Sequence, residues 1–399
     1  MGKNILTNRN FILLWFAKFI SIAGNKIYGV ALLWWALQTT GEAVKIGLIL
    51  TIAGIPALIF GPFAGAWIDR LPRKFILIFS DIVKGLIITW FTILCFAGNL
   101  TLYHVYIGVF LTAIANCFSI PALGAIVPNI VEEKDLTRAN SIYQMTASGL
   151  GVIGPALGGI LVSQLGIPVI FLLNAISFFL AALFDAFLKF KQTGQKLEKT
   201  SIVADLQDGF NYIRQQKAIL AMVLISSIVQ VFAYPVELFT PILVKDFFNL
   251  GAKHLGILWS GWSLGVMLAS SFFIMLKKNQ KHYLYIVGGT LLIGLCFIAA
   301  GFSKQFPLTL VIYGIFGIAV IFSMLPAKVL IQTMVPDDKR GRVFGLLNTI
   351  DKSLHPVAFL IAGFLIDYYS ISLLFHFNGV MILLGGIALY SVKEIRQLK

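Results

Sequence analysis

Apolar runs of about 20 residues recur along the whole chain, each long enough to cross a bilayer core of about 30 Å as an α-helix. A chain so built cannot bury all of these runs away from water in an ordinary soluble core. Composition agrees, because 58% of the 399 residues are hydrophobic and only 12% charged. The mean hydropathy is +0.90. Spans are expected at 11–38, 45–68, 75–97, 102–120, 140–163, 168–190, 218–240, 254–276, 283–302, 307–327, 342–366 and 371–392. The stretch from Phe11 to Gln38 is too long for a signal-peptide core and has no small-residue cleavage pattern, so it is read as the first helix, retained.

An even number of spans puts both termini on one side, and Lys and Arg choose which. With alternate loops taken as cytoplasmic, 22 basic residues fall inside, against four outside: Lys45, Lys245, Lys253 and Lys304. The positive-inside rule then predicts that both termini are cytoplasmic. The net charge of +14 becomes a topology signal facing anionic lipid head groups, and nucleic-acid binding is not expected. The three cysteines, Cys95, Cys117 and Cys296, lie inside apolar runs and form no paired framework.

The longest polar stretch, Lys191 to Lys217, divides the spans six and six. Three regions are expected: a six-helix bundle over 1–190, a cytoplasmic linker over 191–217 and a second six-helix bundle over 218–399. Within the linker, Ile202, Leu206, Phe210 and Ile213 share one face of a short amphipathic helix. Such a helix is expected on the inner membrane surface; a regulatory partner site is the alternative. An internal repeat supports the division. IPALGAIVPNIVEEKDLTRAN (120–140) aligns without gaps on LPAKVLIQTMVPDDKRGRVFG (325–345), with Pro121 on Pro326, and each is read as leaving one span and opening the next. GEAVKIGL from Gly41 similarly resembles GAKHLGI from Gly251. Transporters made of repeated halves place their substrate near the bilayer midplane and open alternately to each side.

Two motifs carry mechanical consequences. Gly65, Asp69, Arg70, Arg73 and Lys74 fall in GPFAGAWIDRLPRK, between the second and third spans. Gly65 permits close helix approach, Asp69 suits the positive end of a helix dipole, and the basic residues suit acids or head groups. Alternatively, the bases are plain positive-inside anchors. Gly154, Pro155, Gly158 and Gly159 fall in the fifth span, where Pro155 removes a backbone donor and the glycines allow close packing on the opposing half.

These motifs resemble the major facilitator superfamily. The loop is similar to its cytoplasmic gate motif, with Pro72 where glycine is usual, and the fifth-span motif resembles that of its exporters and antiporters. FGPFAGAWIDRLPRK, IPALGAIVP, EEKDLTRANS, DLQDGFNYIRQQKAI and VPDDKRGRVFGL, in that order, are similar to the macrolide-efflux branch, over nearly the entire chain. The resemblance implies an all-α integral membrane protein of 12 transmembrane helices, two pseudo-symmetric six-helix bundles facing each other across a cavity. It also implies a loop that latches the cytoplasmic side, and a monomeric proton-coupled exporter of drug-like amphipathic molecules. Lysophospholipid, siderophore or peptide transport on the same fold is the alternative. The fourth span lacks the arginine that many proton-coupled relatives carry, so that route of coupling is excluded.

Ionisable residues inside spans need a partner, a watery cavity or an interface. Lys18 and Lys328 are expected to snorkel to the inner surface, and Asp185 and Glu237 to sit near opposite interfaces. Lys26, beside Asn25, lies about 22 Å beyond Phe11 at 1.5 Å per residue. It either lines the cavity or pairs across helices. Asp81 and Lys84 are one turn apart and can pair structurally. Asp351 and Lys352 point about 100° apart on a helix, and Asp351 is the leading candidate to exchange the coupling proton. Trp259 and Trp262, three apart on the eighth span, could stack an apolar or cationic substrate or simply pack.

No phosphate loop provides for direct ATP driving. The five histidines, His104, His254, His282, His355 and His376, show no metal-ligand spacing, so neither cofactor nor metal is expected. A membrane enzyme would need a His–Asp or Ser–base constellation at one depth, and no such pattern is present, which leaves transport as the expected function.

Overall fold

The structure, a computed structural model, describes residues 5–68, 71–190, 202–275 and 282–392. Among these, fourteen α-helices are present: α1 (Arg9–Thr40), α2 (Ala43–Ile68), α3 (Arg73–Phe96), α4 (Leu102–Ile130), α5 (Leu136–Leu165), α6 (Ile167–Ala186), α7 (Ile202–Gln215), α8 (Lys217–Ala233), α9 (Val236–Ile242), α10 (Ala252–Met275), α11 (His282–Phe302), α12 (Phe306–Met334), α13 (Asp337–Tyr368) and α14 (Ile371–Ser391). Twelve helical segments are long and apolar enough to cross a membrane, α8 and α9 counting as one through Phe247. The protein is thus an all-α, multi-pass chain.

Helix boundaries follow local chemistry. Asn8 caps α1 by accepting from the backbone N–H groups of Asn10 (3.0 Å) and Phe11 (3.2 Å), while its own amide donates to the Ile130 carbonyl at 2.7 Å. Gly41 ends α1 in the left-handed region (φ 64°) and returns its N–H to Leu37, a conformation that favours glycine. The seventh span is interrupted between α8 and α9 because Pro235 has no N–H to continue the ladder.

Two spans outrun their expected ends. α4 continues through Pro121 and Pro128 to Ile130, and α12 through Pro326 to Met334, so the repeated segment does not turn at its first proline. Each proline forfeits a single ladder bond, and tertiary burial offsets the loss. Ala122, Ile126, Val127 and Ile130 pack with Ile5, Phe11, Leu14 and Leu77, while Leu330 and Ile331 pack with Ile213, Ile219 and Val343.

Contacts divide the chain into two compact units, one of Met1–Gly41, Ile52–Glu198 and Gly251–Gly256, the other of Glu42–Thr51, Lys199–Leu250 and Ile257–Lys399. In the first unit α1 packs on α5 and α6, and α3 on α4 and α6. In the second, α8 packs on α13 and α14, and α11 on α12 and α14. Numbered within each set of six spans, these are the same four pairings: first with fifth, first with sixth, third with fourth and third with sixth.

The linker helix α7 meets α13 through a glycine: Gly209 sits so close to Arg342 that a Cβ would lie 2.8 Å from its carbonyl, Tyr212 donates to the Met334 carbonyl at 3.2 Å, and Ile213, on the expected apolar face, is buried. Phe210 is 52% exposed. The side chains of Ile202 and Leu206 lie outside the described residues. A glycine provides the contact because it lets two backbones meet, which a pattern of apolar residues does not reveal.

Candidate functional site

The first unit holds a buried ionic group. Asp81 and Lys84, one turn apart on α3, pair at 2.6 Å through Asp81 Oδ1. Lys18 of α1 reaches Asp81 Oδ2 at 3.3 Å and Asp185 Oδ2 of α6 at 3.4 Å. Both aspartates are fully buried, and Lys18 and Lys84 are 8% and 5% exposed. Lys84 also lies 4.8 Å from the centre of the Phe178 ring. The group is electrically neutral, two cations with two anions, which is the arrangement a buried ion cluster requires. The structural pairing of Asp81 with Lys84 was expected; the two further members were not. Lys18 is buried in this group instead of reaching a surface, and Asp185, in the last turn of α6, is buried between helices. The reason is the packing of α1, α3 and α6, which sets two carboxylates beside the lysine.

The second unit holds a polar cluster at the break in the seventh span. Tyr234, at the junction of α8 and α9, contacts Asp351 Oδ1 of α13 and the Gln230 side chain one turn earlier. The hydroxyl has a single proton to donate, which serves one of these two acceptors, Asp351 Oδ1 or Gln230 Oε1, at a time. His355, one turn beyond Asp351, lies with its ring centre 3.6 Å from that of Tyr234 and 5.9 Å from that of Phe359. Asp351 is half-buried, whereas Lys352 is exposed. Sequence reasoning found Asp351 but missed its partners. The only signal for them was spacing, Gln230 to Tyr234 just before Pro235 and Asp351 to His355, each four apart.

The remaining candidates are dispersed. Gly65 lies in α2, and Asp69 and Arg70 lie outside the described residues. Arg73 is buried and donates to the Ala125 carbonyl of α4 at 3.1 Å, while Lys74 donates to the carbonyls of Ala186 (2.7 Å) and Leu188 (2.8 Å) at the end of α6. Cations beside C-terminal carbonyls are favoured by the helix dipole, so Lys74 ties α3 to the end of α6, while Arg73 ties it to a carbonyl within α4. Asn25 and Lys26 are exposed on α1.

The fifth-span glycines are corrected in part. A Cβ on Gly154 would lie 2.6 Å from Lys26 Cβ, and one on Gly158 would lie 2.9 Å from the Ile27 carbonyl, so both accommodate α1 of their own bundle. Gly159 faces Ala252, in the short segment of α10 grouped with the first unit. α5 runs unbroken through Pro155, from Leu136 to Leu165. Trp259 is half-buried, and Trp262 stacks on Phe316 with ring centres 6.4 Å apart and planes 23° apart. This is packing within the second unit, with Trp262 still 37% exposed.

The sequence profile of the Major Facilitator Superfamily matches residues 14–352. The chain belongs to the major facilitator superfamily. It is 24% identical to macrolide efflux protein A of Streptococcus pyogenes over 392 residues, covering 97% of each chain. It is 22% identical to the multidrug efflux pump Tap of Mycolicibacterium fortuitum, over 97% of this chain and 96% of that one. Among solved structures, a point mutant of the nucleoside transporter NupG superposes with a TM-score of 0.78 at 12% identity, over 96% of this chain and 100% of that one. A bacterial homologue of the iron transporter ferroportin in the inward-facing state gives 0.76 at 16% identity, over 97% and 99%. The major facilitator fold is therefore established, and the protein is a membrane transporter.

Proposed function

We propose that this transporter is an exporter of small amphipathic, drug- or macrolide-like compounds from the bacterial cytoplasm, working by alternating access and driven by the proton gradient. The observation that carries export is the end-to-end similarity to a macrolide efflux protein and to a multidrug efflux pump. The twofold use of one set of helix pairings supports two six-helix bundles, 1–190 and 218–399, joined by the linker 191–217. The excess of basic residues in alternate loops supports cytoplasmic termini, and a monomer suffices for this mechanism.

Proton coupling is assigned to Asp351. It is a carboxylate within a span, half-buried and held by Tyr234 at a helix break, where a proton can be taken up and the tyrosine hydroxyl released to another acceptor. Asp69 and Arg73 are assigned to the cytoplasmic latch, and Lys26 to substrate selection. The test is transport in proteoliposomes with a panel of macrolides, cationic dyes, peptides, siderophores and lysolipids, with and without an imposed proton gradient. Drug-type substrates are expected to move uphill only with the gradient, and Asp351→Asn to abolish uphill movement while leaving binding and downhill exchange. Lysolipid movement without a gradient would instead establish the other substrate class, and wild-type uphill transport by Asp351→Asn would remove the coupling assignment.

A further inference from the structure

We infer that Asp185 is a second proton-binding site, lying wholly within the first unit and acting by releasing Lys18 from its bridge between α3 and α6. The buried ionic group is lopsided. Asp81 uses both carboxylate oxygens, Oδ1 with Lys84 at 2.6 Å and Oδ2 with Lys18 at 3.3 Å. Oδ1 of neither aspartate has a hydrogen-bond partner, but that of Asp81 is held in the ion pair with Lys84, whereas Asp185 has only the outer reach of the same Lys18, 3.4 Å from Oδ2, and an Oδ1 in neither a hydrogen bond nor an ion pair.

An ionised carboxylate at 0% exposure with one bare oxygen is an unfavourable arrangement, because burial removes the water that would otherwise serve it. A proton on Oδ1 turns the bare acceptor into a donor. The helices packed against α6 provide the charged and titratable groups that act on it: Lys18 from α1, Asp81 and Lys84 from α3, and the hydroxyl of Tyr143 from α5. That hydroxyl is also buried without a hydrogen-bond partner and lies within electrostatic reach of Asp185.

Uptake converts the Asp185 carboxylate and one proton from water into a carboxylic acid, with no other bond made or broken. Lys18 keeps its charge, and its remaining anionic partner is Asp81. The charge link from α1 to α6 is thereby lost while the link from α1 to α3 persists, and the group passes from neutral to singly positive. Protonation therefore selects between two tethers of α1, the helix that also carries Asn25 and Lys26. This site is independent of Asp351, which lies in the other unit.

The experiment is pH-difference infrared spectroscopy of the full-length protein in lipid, following the carbonyl band of protonated carboxyl groups. The wild type is expected to show an Asp185 band beside that of Asp351; the Asp185 band, worth one proton per chain, is expected to remain in Asp351→Asn, to be lost from Asp185→Asn, and to move in frequency in Asp185→Glu, which keeps the carboxyl on a longer arm. Should Asp185→Asn not fold, the band shift in Asp185→Glu decides alone. Persistence of the whole wild-type band in Asp185→Asn, or an unmoved band in Asp185→Glu, overturns the assignment. Loss of a band only in Asp351→Asn would support the coupling residue and refute this second site, so the two readings fail separately.

Discussion

Asp81 is the keystone of the buried ionic group, and its replacement can be worked through from distances. Asp81→Asn leaves Lys18, Lys84 and Asp185, a net positive charge, in a site where these residues are at most 8% exposed. With an effective dielectric of about 20, pairs at 2.6 and 3.3 Å are each worth about 5–6 kcal/mol before desolvation. Relief of the repulsion between Asp81 and Asp185, and hydrogen bonds retained by the asparagine, offset part of that sum. The expected net loss is about 3–5 kcal/mol, the range for removing one partner of a buried pair. Adding Lys84→Met restores neutrality and leaves Lys18 with Asp185, so the double variant should recover about 2 kcal/mol or more relative to Asp81→Asn alone. Equilibrium unfolding in mixed micelles, followed by tryptophan fluorescence, measures all four corners of the cycle. Strict additivity, with the double variant as unstable as the two single losses summed, would falsify the view that charge balance governs this group.

Three further outcomes are expected. Tyr234→Phe removes the donor to Asp351, an interaction worth about 1.5–3 kcal/mol when the acceptor is charged, and should slow gradient-driven transport tenfold or more; an unchanged initial rate in proteoliposomes would show the tyrosine to be a bystander. Gly158→Val places a branched side chain where a Cβ already lies 2.9 Å from the Ile27 carbonyl, so destabilisation of about 1–3 kcal/mol should appear as a lower midpoint in the same unfolding assay. At the linker, Asp208→Ala breaks an exposed 2.9 Å pair with Arg342 and should change stability by less than about 1 kcal/mol, whereas Gly209→Leu should undock α7 from α13. Protease sensitivity of the linker distinguishes the two, and equal sensitivity would refute the glycine-mediated contact.

The sequence by itself determined the solvent, the number of spans and the repeat. These are local or additive properties: a 20-residue apolar run needs no partner to declare its length, and residues related by duplication can be aligned without coordinates. It also located Asp351, and the Asp81–Lys84 pair, whose members are three apart on one helix. It misplaced the ends of α4 and α12, because a proline forbids one hydrogen bond while the apolar contacts of Ile126 and Leu330 that carry the helix onward come from distant segments. Only the tertiary structure decided the rest. Lys18 reads as a snorkelling lysine until α3 and α6 bring Asp81 and Asp185 to it from 63 and 167 residues away. Tyr234 reads as one aromatic among many until α13 sets Asp351 against its hydroxyl, 117 residues away. Hydrophobic patterning sets which residues enter the membrane, but in lipid all apolar faces are nearly equivalent, so helix neighbours are chosen by close packing and polar pairing, interactions that exist only once the helices have met.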